Sequence, residues 1–164
     1  PTMSRGLGDV YKRQVLKQHE KDAIQDGMDL GICLIDKKTR KITFSGSRNG
    51  IYVVNKKGDL KEIKGDYTPV GGFYSKKEKI NNRKYETHEI NLKKDEWVFM
   101  YSDGYYDQFG GDRNKSMGST RFKDILVSAV KNEKLQTSDF KNYFFHWMGE
   151  NEQLDDVLLM GFTL

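Results

Sequence analysis

From Met28 to Tyr101 the sequence is a succession of short apolar runs broken by turn residues, and beyond Tyr101 apolar positions recur at helical spacing. That order constrains the fold more than any other feature. Met28–Ile35, apolar but for Asp29, Gly31 and Cys33, reads as a strand buried on both faces. Asp36–Arg40 reads as a turn, and Lys41–Gly46 alternates as a second strand. Asn49-Gly50 marks a tight turn or a bulge, after which Ile51–Val54, Lys57–Asp59 and Leu60–Ile63 follow as strand, turn and strand. Gly65–Asn82 is a connecting loop containing Pro69-Val70-Gly71-Gly72. Tyr85–Leu92 alternates, and Trp97–Tyr101 has the aromatic and β-branched content of a central strand. Hairpin spacing makes the pairing mostly antiparallel. Phe122, Ile125, Leu126, Ala129 and Val130 then mark a helix. Ser138-Asp139 stand where they would cap another, which carries Phe140, Tyr143, Phe144, Trp147 and Met148. Val157–Phe162 closes the chain as a further buried strand. Strands first, helices later and one strand last predict an α+β fold with helices packed on an antiparallel sheet.

The 164 residues suffice for one domain with its own core. Aromatics at 12% exclude a disordered chain despite 32% charged residues. Cys33 is the only cysteine, which excludes a disulfide-stapled secreted scaffold. No stretch approaches the roughly 20 apolar residues of a membrane helix, and no signal segment opens the chain, so a cytoplasmic domain is expected. The net charge of +4 resides in lysine pairs at turns (Lys37-Lys38, Lys56-Lys57, Lys76-Lys77, Lys93-Lys94) rather than along one stripe, so no nucleic-acid partner is expected. At the N-terminus, Val15–Gln25 reads as the last turns of a helix ended by Gly27. Ahead of it, Asp9–Gln14 resembles the translated end of a transposase adaptor used in shotgun libraries. On that reading residues 1–14 are a non-native scar and the gene continues upstream. The alternative is an ordinary polar N-terminal segment.

Chemistry is suggested by acids at the ends of the two most apolar strands. Asp103-Gly104 directly follows Trp97–Ser102, and Asp155-Asp156 directly precedes Val157–Met160. If those strands lie side by side and antiparallel, the carboxylates reach one end of the sheet. Like charges held close need a cation or a shared proton, and oxygen donors without His or Cys favour Mg²⁺ or Mn²⁺. Gly104 would let the backbone turn sharply toward an ion. The competing explanation is that Asp-Gly and Asp-Asp are common strand-closing turn pairs. Cys33 reads as an inert core residue, and His19, His88 and His146 have no ligand partner at metal spacing. Phe144–Met148 reads as a core stripe. Gly71-Gly72 and Gly110-Gly111 match no phosphate-cradling pattern.

Five segments then occur in a telling order: Gly27–Cys33, Phe44–Asn49, Pro69–Gly72, Ser102–Gly111 and Asn151–Val157. Together they resemble the C-terminal part of a sporulation-protein-E-type bacterial serine phosphatase domain, a branch of the metal-dependent type 2C protein phosphatases. The resemblance covers residues 15–164 and implies a β-sandwich of mostly antiparallel sheets flanked by helices, truncated at the N-terminus. It also implies Mn²⁺ or Mg²⁺, two ions in the complete domain, and hydrolysis of phosphoserine or phosphothreonine by metal-activated water. By the same resemblance Asp103 and Asp155 are the catalytic metal-binding acids, Gly104 is the close-approach glycine and Asp156 is the neighbour of Asp155. The implied partner is a phosphorylated regulatory protein such as an anti-sigma-factor antagonist. Ser47–Gly50 departs from the family's Ala-Asn-Asn-Pro type of turn.

The family's further metal-binding acids precede its first long helices, and Asp22, Asp26 and Asp29 sit on other elements. A fragment with low or no activity is therefore expected, cut from a parent that upstream domains could tether to a membrane. Open sheet edges would favour its self-association. The alternative is a non-catalytic interaction domain retaining the fold, against which the presence of both Asp103 and Asp155 argues. A basic nucleic-acid binder rests on net charge alone.

Overall fold

The structure is a computed structural model and describes residues 27–71, 84–133 and 136–164. The helix expected over Val15–Gln25, the segment 1–14, the Lys76-Lys77 pair and the latter part of the Gly65–Asn82 loop lie outside the described residues.

Local alternation and turn chemistry produce two principal sheets. Strands β2 (Leu30–Asp36), β3 (Lys41–Ser47) and β7 (His88–Asn91) form one, in the order β2-β3-β7. Strands β4 (Ile51–Asn55), β5 (Leu60–Ile63), β8 (Glu96–Tyr101) and β11 (Leu159–Phe162) form the other, in the order β11-β8-β4-β5. Every neighbouring pair in both is antiparallel. Two-residue ladders join β1 (Gly27–Met28) to β6 (Val70–Gly71), and β9 (Phe109–Gly110) to β10 (Lys115–Ser116).

The alternation in β4 shows how the layers stack. Ile51 and Val53 face Ile42 and Phe44 of β3 and Ile90 of β7, so the two sheets share one apolar interior. Tyr52 and Val54 point the other way, toward Phe122, Leu126 and Val130 of helix α2 (Ser119–Lys131) and Phe144 of helix α3 (Thr137–Met148). The result is a sandwich of antiparallel sheets with helices on one outer face, the α+β architecture expected from the resemblance. Among the described residues, no helix is long and apolar enough to cross a membrane.

Several local expectations are corrected. The strand after Asp29 is not buried on both faces: Ile32 is 55% and Leu34 71% exposed. Its register explains why. Cys33 and Ile35 oppose Phe44 and Ile42 on the inner face, whereas Ile32 and Leu34 oppose Ser45 and Thr43 on the outer face of an edge strand. The closing strand is likewise not buried; it is the edge of its sheet, with Met160 51% exposed. In the Tyr85–Leu92 segment only His88–Asn91 pairs as a strand. Helix α3 begins at Thr137 with Gln136 at its cap, so Ser138 and Asp139 fall within the first turn and cap nothing. Finally, β3 and β4 belong to different sheets, although their spacing reads as a hairpin.

Candidate functional site

The antiparallel pairing of β8 with β11 places Tyr101 opposite Leu159 and Val98 opposite Phe162. The chain leaving β8 and the chain entering β11 therefore meet at the same end of the sheet, and Asp103 and Asp155-Asp156 are carried there. Ser102 extends the ladder by one step. Its N–H donates to the Leu158 carbonyl at 3.0 Å. Its hydroxyl donates to the Asp156 carbonyl at 2.8 Å and accepts the Leu158 N–H at 2.8 Å. One serine thus ties the β11 approach to the β8 exit on both sides of Val157.

Beyond Ser102 the chain turns into a short helix, α1 (Gly104–Asp107), which the apolar pattern does not reveal. The Asp103 carbonyl starts it, accepting the N–H groups of Tyr106 at 3.0 Å and Asp107 at 2.9 Å. The Asp103 side chain is half-buried and makes no capping hydrogen bond. An aspartate at this position ordinarily accepts an amide of the first turn, so a purely capping role leaves its carboxylate unexplained. Asp155 is exposed; its Oδ1 accepts the Asp156 N–H at 2.7 Å and its carbonyl accepts Gln153 Nε2 at 2.7 Å.

Gly104 works differently from the sharp turn expected of it. Its backbone is helical, which any residue tolerates, but a Cβ there would lie 2.6 Å from the Asp156 carbonyl oxygen and 3.3 Å from Asp155 Cβ. Glycine is required because α1 lies against the Asp155-Asp156 backbone. An alanine in a helix is ordinarily the more stable choice by about 0.5–1 kcal/mol. Here the clash is with backbone, and overpacking of that kind costs about 1–3 kcal/mol. Gly104→Ala is therefore expected to destabilise, and an increased midpoint in urea denaturation would contradict this.

Asp107, which the sequence reading left unassigned, completes the electrostatic picture. Asp107 is exposed, yet partial desolvation of its carboxyl, and after it the negative charges of Asp103 and Asp155, hold that carboxyl above the usual carboxylate range. Both acids thus bear on one group. Its position four residues after Asp103 was visible, but the helix that makes this spacing meaningful was not. The donors are hard oxygens only, which suits Mg²⁺ or Mn²⁺, and the close approach at Gly104 holds the two acidic segments together. The fit is partial: among the described residues, no group of three or more His, Cys, Asp or Glu side chains is placed to hold an ion. Asp29 stands instead 3.8 Å from Arg48 Nε.

The other candidates stay apart from this end of the sheet. Cys33 packs beside the inter-sheet core, and burial pushes its thiol up, which suits an inert residue. His88 stacks on Phe44 with ring centroids 6.3 Å apart, and His146 is exposed on α3. A Cβ at Gly111 would lie 2.8 Å from the Trp147 ring, so this glycine serves helix packing rather than phosphate binding.

The model of the stage II sporulation protein E (SpoIIE) family matches residues 11–164. Among solved structures, the SiaA-PP2C domain of Pseudomonas aeruginosa has a TM-score of 0.78 at 25% identity, covering 97% of this chain and 58% of that one. The phosphatase domain of the cell fate determinant SpoIIE from Bacillus subtilis, presoaked with Mn, has a TM-score of 0.56 at 14% identity, covering 99% and 66%. The RsbU and RsbW domains of Rv1364c from Mycobacterium tuberculosis give 0.65 at 16% identity, covering 98% and 41%. The last two likenesses concern the fold alone. No curated protein matches the chain.

Proposed function

This chain belongs to the stage II sporulation protein E family, whose relatives include PP2C phosphatase domains, and from that premise we propose that it is part of a metal-dependent phosphoserine/phosphothreonine protein phosphatase. The observation that carries the reading is the delivery of Asp103 and Asp155 to one sheet end by the β8–β11 pairing, with Gly104 packed against the Asp155-Asp156 backbone. In this reading Asp103 and Asp155 hold Mn²⁺ or Mg²⁺, Gly104 permits the close approach and Asp156 supports its neighbour. Such an ion supplies charge neutralisation at the phosphoryl oxygens and a more acidic water. The protein's own part is to hold the carboxylates in place: Ser102 locks the Asp156 carbonyl, and α1 aims Asp103 from a backbone fixed by Tyr106 and Asp107. The substrate is a phosphorylated regulatory protein, such as an anti-sigma-factor antagonist, and residues 15–164 are the C-terminal part of one phosphatase domain.

The second reading is a non-catalytic interaction domain that retains the fold. Phosphate release from a phosphoseryl peptide by the complete phosphatase domain, of which this chain is read as the C-terminal part, measured alongside Mn²⁺ binding to that domain, separates the two. Mn²⁺ binding with release that EDTA abolishes is the expected result. Binding without release would favour the interaction domain, and failure to bind Mn²⁺ would overturn the metal reading.

A further inference from the structure

Gln108 is fully buried, yet every polar atom of its side chain is used. Nε2 donates to the carbonyls of Glu152 at 2.9 Å and Phe109 at 3.1 Å, and Oε1 accepts the Leu154 N–H at 3.2 Å. Its backbone carbonyl also accepts the Trp147 indole N–H at 3.0 Å and the Met117 N–H at 3.0 Å. An apolar side chain of similar volume would fill this place without needing partners, so space-filling does not account for an amide here.

Its position along the chain does. Gln108 directly follows Asp107 at the end of α1, and Leu154 directly precedes Asp155. The amide therefore joins the segment bearing Asp103 and Asp107 to the segment bearing Asp155, on the near side of Asp155. Ser102 makes the corresponding join on the far side, at Asp156 and Leu158. Asp155 is thus bracketed: two independent side chains, from either end of the Ser102–Gln108 segment, fix the backbone before and after it. Without the first bracket, residues 152–154 would be an exposed loop held at its ends, by the Asn151 bonds to the Met148 carbonyl and by Ser102 at Asp156.

We infer that Gln108 is a positioning residue that sets the placement of Asp155 relative to Asp103. The inference rests on the reading of those two acids as ion ligands, and it assigns Gln108 no contact with ion or substrate. Supports of this kind behind metal ligands are worth roughly 10–100-fold in affinity.

The test combines amide hydrogen exchange with Mn²⁺ titration on the whole chain. In the unaltered protein, the Leu154 amide is expected to exchange at least about tenfold more slowly than in a free peptide, although the residue is 63% exposed. Gln108→Met, which removes all three side-chain bonds at similar length, is expected to abolish that protection and to raise the Mn²⁺ Kd by about tenfold. Ser47→Ala serves as the comparison. It removes another buried polar side chain, one bonded to the Thr68 carbonyl at 2.8 Å, and is expected to leave the Kd unchanged. An unchanged Kd in Gln108→Met, or an equal rise in Ser47→Ala, would overturn the positioning role. Should Gln108→Met fail to fold, the unaltered chain still decides: a Leu154 amide exchanging at the free-peptide rate overturns the bracket. Protection of Leu154 in a chain that binds no Mn²⁺ would instead overturn the metal reading and leave the bracket standing.

Discussion

Asp103→Asn is expected to weaken Mn²⁺ binding by more than the roughly 10–100-fold that loss of a supporting partner costs, because it removes a charged donor itself. The exchange is nearly isosteric, so packing around α1 is preserved. Asp103 also makes no capping hydrogen bond, so the backbone loses nothing when its carboxylate becomes an amide. Stability should consequently stay within about 0.5 kcal/mol of the unaltered chain. A small gain is the expected direction, since a charge that acts against Asp107 disappears. The joint signature is lost ion binding with undiminished stability, read from Mn²⁺ titration and thermal unfolding of the same preparation. If the Asp103→Asn protein binds Mn²⁺ as tightly as the unaltered chain, Asp103 is removed from the site. If it binds weakly but has also lost several kcal/mol of stability, the aspartate is structural.

Phe122→Ala carries the largest expected cost in stability, about 3–5 kcal/mol. Phe122 is fully buried on α2 at the centre of an aromatic cluster. Its ring centroid lies 4.9 Å from that of Tyr105, 5.4 Å from Tyr101, 5.8 Å from Tyr106 and 6.2 Å from Tyr52. Those partners come from α1, β8 and β4, so one ring joins the helical layer to the four-stranded sheet and to the helix that follows Asp103. Truncation leaves a cavity bounded by large, rigid rings that cannot readily collapse into it, which puts the cost in the upper part of the range for core deletions. Against a total of about 5–15 kcal/mol for a typical domain, this is about a fifth of the stability or more. Urea unfolding monitored by tryptophan fluorescence checks it. A loss below about 1 kcal/mol would mean that the cluster repacks around the gap. Because Tyr105 and Tyr106 sit on α1, loosening this cluster should also weaken Mn²⁺ binding, unlike Ser47→Ala.

Much of the architecture was legible in local pattern. Trp97–Tyr101 was recognisable as a central strand because aromatic and β-branched residues bounded by turn signals are favourable only in that setting. It is flanked by β4 and β11. The apolar spacing of Phe122, Leu126 and Val130 identified the face of α2 that is buried. The two acidic strand ends were also apparent, together with the condition under which they would meet. That condition, antiparallel pairing of Trp97–Tyr101 with the closing strand, is satisfied in the fold.

Burial and partnership were not legible in the same way. Ile32 and Leu34 look like core residues by composition, but their exposure depends on which strand lies beside them and on what covers that face, and neither is encoded within the run itself. The same limit applies to β3 and β4, neighbours in sequence that pair with different partners in different sheets. Asp107 and Gln108 were read as part of a motif and assigned no role. The short helix lies against the Asp155-Asp156 backbone at Gly104, and Gln108 is satisfied by Glu152 and Leu154, so both roles rest on contacts with residues near the C-terminus. By itself, then, the sequence determined the strand and helix periodicities, the turns and the acids at the two strand ends, because these are properties of consecutive residues. Only the tertiary structure decided which strands became neighbours, which faces were covered and how the acids were held, because those depend on contacts between segments far apart in the chain.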